Sequence, residues 1–322
     1  MKKFDNPQGI SLPMAVWLAR DEYQHDERTN VISVTTLLKS TREIVLSARV
    51  PQGDCLIDIA TLLPSRLGTS IHNSIEKAWT ENHTQAMMDL GMPPGLIKRV
   101  KVNPESPEPD DICVYLEKRN ERTVGNWIVS GQYDIVFNGQ VQDVKSTSVF
   151  SYMSGVKADD YIRQGSLYRW LDPDTITDDV MAVQFLFKDW SGNRAKSDSN
   201  YPRLPVLEQK FPLNSYEVTD AFVHQKLADI EYYWDKPDEE IPLCTPKELW
   251  QHGSTFKYYA NPDSKRATKN FKTLLEAQAY LNEKGKGVVK EVKDQPTKCL
   301  YCNAAPVCGQ LRAMISRGEL TL

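Results

Sequence analysis

The chain has 322 residues, 40% of them hydrophobic and 25% charged, and carries a net charge of −4. That length can bury one large core or two smaller ones. The charge gives no global signal for nucleic acid but leaves a local basic groove open, and no apolar run approaches the roughly 18–20 residues that span a bilayer.

The first residues, MKKFDNPQGISLP, hold two lysines without an apolar stretch behind them, so no signal peptide is expected and a cytoplasmic setting follows. In that reducing setting the six cysteines read as thiols or metal ligands rather than disulfides. Residues 12–25 have the apolar spacing of an opening helix. VISVTTLLKSTREIVLSARV (31–50) predicts a short lead-in and then a helix capped by Ser33 or Thr35. A firmer helix follows between Thr61 and Met92, capped by Ser65 or Thr69, with Ile71, Ile75, Ala78 and Trp79 on one stripe. His72 and Glu76, four residues apart, are neighbours on that helix. A plain surface pair is one reading of them, and part of a metal site is the other.

Residues 101–112 are rich in proline and acid and read as a loop. Strands around Cys113–Leu116, Asn126–Phe137 and Val141–Ser146 predict an antiparallel meander. A helix from Lys157 to Trp170 carries Tyr161, Gln164 and Tyr168 as a polar-aromatic stripe. Residues 181–190 predict a buried strand followed by a polar loop, and a strand-plus-helix unit runs from Leu207 to Trp234. Beyond it lie a basic and aromatic stretch from Phe256 to Lys272, a helix near Leu274–Lys284 and the strand GVVKEV. The basic stretch reads equally as a DNA-backbone track or as a solvated surface.

The chemistry concentrates in SGQYDIVFNGQVQDVKSTS (130–148), two strand-like runs around the hairpin signal Asn138-Gly139. Asp134 sits in the first run and Asp143 in the second. Lys145 lies two residues beyond Asp143, on the same face of a strand. Two acids and a lysine suit a divalent cation beside a phosphate: carboxylates hold Mg²⁺ or Mn²⁺, and the ammonium steadies the attacking water or the developing oxyanion. A solvated edge hairpin is the bland alternative.

The order of the parts is more specific than any one of them. A helix with Gly68, His72 and Glu76 as G-x-x-x-H-x-x-x-E precedes G-x-x-D (Gly131, Asp134), then D-V-K (Asp143, Val144, Lys145), then Q-x-x-x-Y (Gln164, Tyr168). This succession resembles the RecB-like branch of the PD-(D/E)xK nuclease superfamily over roughly Gly68 to Tyr168. The resemblance implies His72, Asp134, Asp143 and the Val144 carbonyl as metal ligands, and Lys145 as the charge-stabilising residue. It implies Gln164 and Tyr168 as contacts shaping the active site and the DNA path, with Glu76 orienting His72. Tyr133 stands where the superfamily's name has a proline.

Near the C-terminus Cys299-x2-Cys302-x5-Cys308 is tight enough to clamp one metal centre. The spacing resembles the C-terminal part of the structural iron–sulfur staple in AddB-type helicase-nucleases and CRISPR adaptation nucleases. Those families take their fourth cysteine from upstream of the histidine helix, where this chain has Ser40 and Thr41. Cys244 and Cys55 are the candidates for the fourth ligand. IPLCTPKELW ahead of the cluster looks like an arrangement in phage nucleases of the superfamily and favours Cys244, while Cys113 falls in a strand. Spacing does not separate structural Zn from [4Fe–4S]; the resemblance favours the cluster.

These observations predict an α/β (α+β) fold with a restriction-endonuclease-like central mixed sheet flanked by helices and a C-terminal Cys-bound region. The predicted divisions are a helical segment 1–60, a nuclease core 61–240 and a Cys-rich region 241–322. The implied activity is Mg- or Mn-dependent exonucleolytic processing of linear duplex or single-stranded DNA ends in phage or bacterial recombination or repair, alongside a recombination or annealing partner protein. The absence of a Walker A motif excludes an ATP-driven motor within the sequence. The competing readings are a non-catalytic nucleic-acid-binding module with a Cys-metal site and a structure-specific endonuclease.

Overall fold

The computed structural model describes residues 3–20, 26, 28–51, 56–251 and 253–320. Two helices, α1 (Leu63–Asp89) and α2 (Ala158–Leu171), pack on opposite faces of the largest sheet. Its six strands are β1 (Val100–Val102), β2 (Ile112–Leu116), β3 (Ile135–Phe137), β4 (Gln140–Thr147), β5 (Val180–Phe187) and β6 (Val206–Pro212), and their spatial order follows the chain. The pairs β1–β2 and β4–β5 are parallel and the others antiparallel. A parallel pair requires a crossover connection, and α2 supplies the one between β4 and β5.

Side-chain alternation along β4 assigns the layers. Val144 is buried with Leu116 and Ile135 beneath Ile71, Ile75 and Trp79 of α1, three members of the predicted stripe; the fourth, Ala78, is exposed. Asp143 and Lys145 point the other way, toward α2. There Leu167 and Trp170 are almost wholly buried, each stabilising the layer by about 1.5–3 kcal/mol. The β3–β4 hairpin closes through Asn138 and Gly139, with φ 47° and 88°, as a two-residue turn whose positive φ angles match strand twist.

The chain groups into two compact units. One comprises residues 1–38 with 52–227, and the other residues 39–51 with 228–322. The first also holds a three-stranded sheet with Trp127–Gln132 between Val31–Ser33 and Arg119–Val124. In the second, helix Thr41–Ala48 packs Val45 and Leu46 into a core with Ile241, Leu249, Leu311, Met314 and the cysteines. A separate sheet in this unit places Ser254–Tyr259 between Lys269–Phe271 and Val288–Lys293. Helix Leu274–Lys284 packs on it, its start fixed by a Thr273–Glu276 capping box.

Several predicted boundaries change. Asn126–Phe137 is not one strand: the chain leaves the small sheet after Gln132, bends at Tyr133 and Asp134, and enters the large sheet at Ile135. Burial of the Tyr133 ring, whose hydroxyl donates to Asp172 Oδ2 at 3.2 Å, fixes the bend. α1 begins at Leu63, with Pro64 in its first turn. Ser65 and Thr69 are not its caps; their hydroxyls donate to the Leu62 and Ser65 carbonyls. Residues 31–50 form a strand, a single turn capped by Ser33 and a second helix capped by Ser40. The opening helix is Leu12–Ala19, and residues 21–25 of that reading lie outside the described residues. Val100–Val102 shortens the acidic loop, and Gly192–Ser197 is a helix within the polar loop. Among the described residues, no helix is long and apolar enough to cross a membrane.

Candidate functional site

The bend at Asp134 sets the centre of the site. Because Ile135 pairs with Gln142, Asp134 arrives beside Asp143 and Val144. Its Oδ2 accepts the Val144 amide hydrogen at 2.8 Å, which anchors the carboxylate on β4. From α1, His72 places Nδ1 3.4 Å from Asp134 Oδ1 and 3.5 Å from Glu117 Oε1, and Nε2 3.3 Å from the Val144 carbonyl oxygen. His72, Glu117 and Asp134 each offer one ligand atom, and these atoms lie within 4.8 Å of one another. Hydrogen bonds to Asp134 first, and to Glu117 next, push the His72 imidazole up to about 10. A protonated ring thus supplies positive charge among the carboxylates.

Glu117 is the residue the sequence reading missed. It follows β2 directly, in a left-handed conformation with φ 48°. Its amide donates to the Asp134 carbonyl at 3.0 Å, and its Oε2 accepts from Gln132 at 2.8 Å. An acid at the end of a strand next to the hairpin was the available signal, but nothing in the spacing linked it to His72. Glu76 lines the same small cleft, while the contacts that grip the His72 ring come from Asp134 and Glu117.

On the α2 side, Asp143 is 1% exposed. Lys145 Nζ donates to its Oδ1 at 2.8 Å, and Gln164 Nε2 lies 3.3 Å from the same oxygen. Oδ2 lies 2.6 Å from the same ammonium, so both carboxylate oxygens face Lys145. Burial pushes the Asp143 carboxyl up to about 6 against the pull of Lys145. Burial also acts to lower Lys145, but the charges of Asp143 and Asp134 outweigh it and raise its pKa. Gln164 Nε2 also donates to the Tyr168 hydroxyl at 3.0 Å, and burial pushes that phenol upward. Tyr161 instead packs its ring on Phe185 and Phe211. The site residues form two groups about neighbouring positions of β4: His72, Asp134 and Val144 in one, and Asp143, Lys145, Gln164 and Tyr168 in the other, with the charges of Asp134 and His72 acting on Asp143.

The donor set suits a hard divalent cation: carboxylates, a backbone carbonyl and an imidazole. Asp143 lies outside the three-residue group and faces Lys145.

Cys299 and Cys308 are buried in the core of the second unit, and Cys244 and Cys302 pack against the same core. Burial, followed by the charges of Cys302 and Cys308, pushes the Cys299 thiol up to about 11; burial raises Cys244 and Cys302 as well. A cationic centre would relieve both effects. Arg42, 3% exposed, donates Nε to Cys308 Sγ at 3.4 Å, and Ser40 Oγ lies 3.3 Å from Cys244 Sγ. Among the described residues, no three of these sulfurs fall within 4.8 Å of one another. A single zinc ion with sulfurs about 2.3 Å away would require them to draw together. Cys55, the other candidate for the fourth ligand, lies outside the described residues.

No family model matches the chain. No curated protein matches it. Among solved structures, one described as the crystal structure of SSO0001 is similar at 15% identity and a TM-score of 0.40, over 70% of this chain and 90% of that one.

Proposed function

We propose that the chain is a metal-dependent DNA nuclease of the RecB-like PD-(D/E)xK kind, hydrolysing phosphodiester bonds at DNA ends. The observation that carries this reading is the convergence of His72, Glu117 and Asp134 beside the buried Asp143–Lys145 pair. His72, Glu117, Asp134, Asp143 and the Val144 carbonyl would hold Mg²⁺ or Mn²⁺. When bound, the ion supplies charge neutralisation at the phosphate and acidifies a water. Lys145 presents its ammonium to the attacking water or the developing oxyanion, held in place by Asp143. Gln164 fixes the orientation of Asp143 through Oδ1 and is itself tied to Tyr168. Glu117 and Asp134 hold the His72 ring with Nε2 toward the Val144 carbonyl, so these groups are positioned before any ligand arrives, and the protonated ring would release a proton on ligating an ion.

In the same proposal Cys244, Cys299, Cys302 and Cys308 hold a structural [4Fe–4S] cluster. The likeness of Cys299-x2-Cys302-x5-Cys308 to the iron–sulfur staple of AddB-type helicase-nucleases favours the cluster over a single zinc ion. DNA recombination or repair in a bacterial or phage-infected cell is the setting that such an activity serves.

End-labelled linear duplex and single strands, digested beside covalently closed circles with Mg²⁺ or Mn²⁺, provide the test. Linear DNA should be degraded and closed circles left intact, with Lys145→Met inactive but folded. Cleaved circles would turn the reading to an endonuclease, and inertness on every substrate would turn it to a binding module. Protein purified without oxygen should be brown, and a colourless preparation holding stoichiometric zinc would overturn the cluster.

A further inference from the structure

The second unit concentrates positive charge. Residues 254–293 hold nine lysines and arginines against four acids, a net charge of +5 in a chain whose total is −4. Eight of the nine basic side chains are exposed, and Lys257 is half-buried.

The three-stranded sheet distributes its faces unequally. Helix Leu274–Lys284 covers one face, where Tyr258 and Phe271 pack their rings 5.1 and 5.2 Å from Tyr280. Strand alternation puts Thr255, Lys257 and Tyr259 on the opposite face. Their cross-strand partners there are Val292, Lys290 and Val288, and Asn270 pairs with Lys257 from the other side. No strand residue on that face is acidic, because Glu291 pairs with Phe256 on the helix side. Lys257 and Lys290 stand directly opposite one another, an arrangement that repels in the absence of an anion. Lys290 lies 5.2 Å from the Tyr259 ring centroid, and exposed Lys265 and Arg266 occupy the loop joining two of the strands.

We propose that this open sheet face binds the phosphate backbone of single-stranded DNA, through Lys257, Lys290, Lys265 and Arg266, with Tyr259 as a ring on which a base stacks. Charge complementarity to a polyanion selects the occupant, since the face is basic, free of acid along its strands and contains one aromatic surface. The proposal deepens the nuclease reading and rests on its choice of DNA as substrate.

The test measures binding of a short fluorescent single-stranded oligodeoxynucleotide to the full chain, without added divalent metal, across a salt series. For the pair Lys257→Gln/Lys290→Gln, the slope of log affinity against log salt should fall by about 1.4, two phosphate contacts at about 0.7 each. That corresponds to roughly 20-fold weaker binding near 0.1 M salt, converging with wild type toward 1 M. Lys265→Gln/Arg266→Gln should weaken it further, and the exposed pair Lys77→Gln/Lys98→Gln on the first unit should leave the slope unchanged. Circular dichroism confirms that each variant is folded. An unchanged slope in the Lys257/Lys290 variant, or an equal loss in the Lys77/Lys98 variant, overturns the proposal. Loss of slope in a chain that cleaves no DNA upholds this face while removing the nuclease reading; cleavage with an unchanged slope does the reverse.

Discussion

In the metal-free protein, Asp143 should make stability fall as pH rises through the mildly acidic range. Burial raises its carboxyl from an ordinary value near 3.8 to about 6. A group whose pKa is higher in the folded state stabilises the fold fully below its unfolded value and loses that contribution as pH rises through the folded one. A shift of about two units at 1.36 kcal/mol each amounts to about 3 kcal/mol, lost between about pH 4 and pH 7. His72, pushed up to about 10, loses its contribution only at higher pH, so this window reports mainly on Asp143. Urea unfolding of metal-free wild type and Asp143→Asn across the window provides the assay. The two should be close at pH 4, with the variant more stable by about 2–3 kcal/mol near neutrality because it carries no buried charge. Saturating Mg²⁺ or Mn²⁺ should restore stability to wild type and not to the variant, as follows when an ion binds only the folded state. A difference between the two proteins that is independent of pH would refute the account of Asp143 as a carboxylate held for a cation.

Other perturbations discriminate among the remaining contacts. Glu117→Gln should reduce metal affinity and cleavage by about 10–100-fold, as loss of a ligand or of its orienting partner does, while Glu76→Gln should change either by no more than a few-fold; titration calorimetry and end-labelled digestion measure the two. Arg42→Met strips hydrogen bonds from the Asp238 and Ile241 carbonyls and the Cys308 sulfur, and removes the ion pair with Asp238. It should cost about 3–5 kcal/mol in urea unfolding, and a cost below about 1 kcal/mol would show that the buried guanidinium is dispensable. At Gly131 an added Cβ would stand 2.7 Å from both Leu171 Cδ1 and Val34 Cγ2. Gly131→Ala should therefore cost about 1–3 kcal/mol, readable as a lower Tm, and an unchanged Tm would mean that the packing yields freely.

The parts legible in the sequence were those with a local signature. The Asn138–Gly139 turn needed only the positive φ that these residues tolerate, and the α1 stripe needed only helical periodicity. Asp143 and Lys145 shared a face because strand alternation is fixed. Glu117 escaped because its approach to His72 depends on β2 lying beside β3, a pairing between strands separated by the excursion into the small sheet. The single strand expected over Asn126–Phe137 failed for a related reason. Both halves have strand-forming sequences, and only burial of Tyr133 beside Asp172 marks where one sheet gives way to the other.

The grouping of residues 39–51 with 228–322 has a consequence for how the protein is made. On the ribosome, helix Thr41–Ala48 emerges well over a hundred residues before Ile241, Leu249 and the cysteines that complete its core. At ordinary elongation rates of about 5–20 residues per second, that delay is on the order of tens of seconds. Throughout it Val45 and Leu46 lack their native cover, and the buried Arg42 lacks Asp238. The second unit can close only after Cys308 has emerged, so nascent chains stalled before it should be the species that chaperones hold and proteases remove. A fragment cut to residues 228–322 would carry all four candidate cluster cysteines yet lack the helix that packs against them.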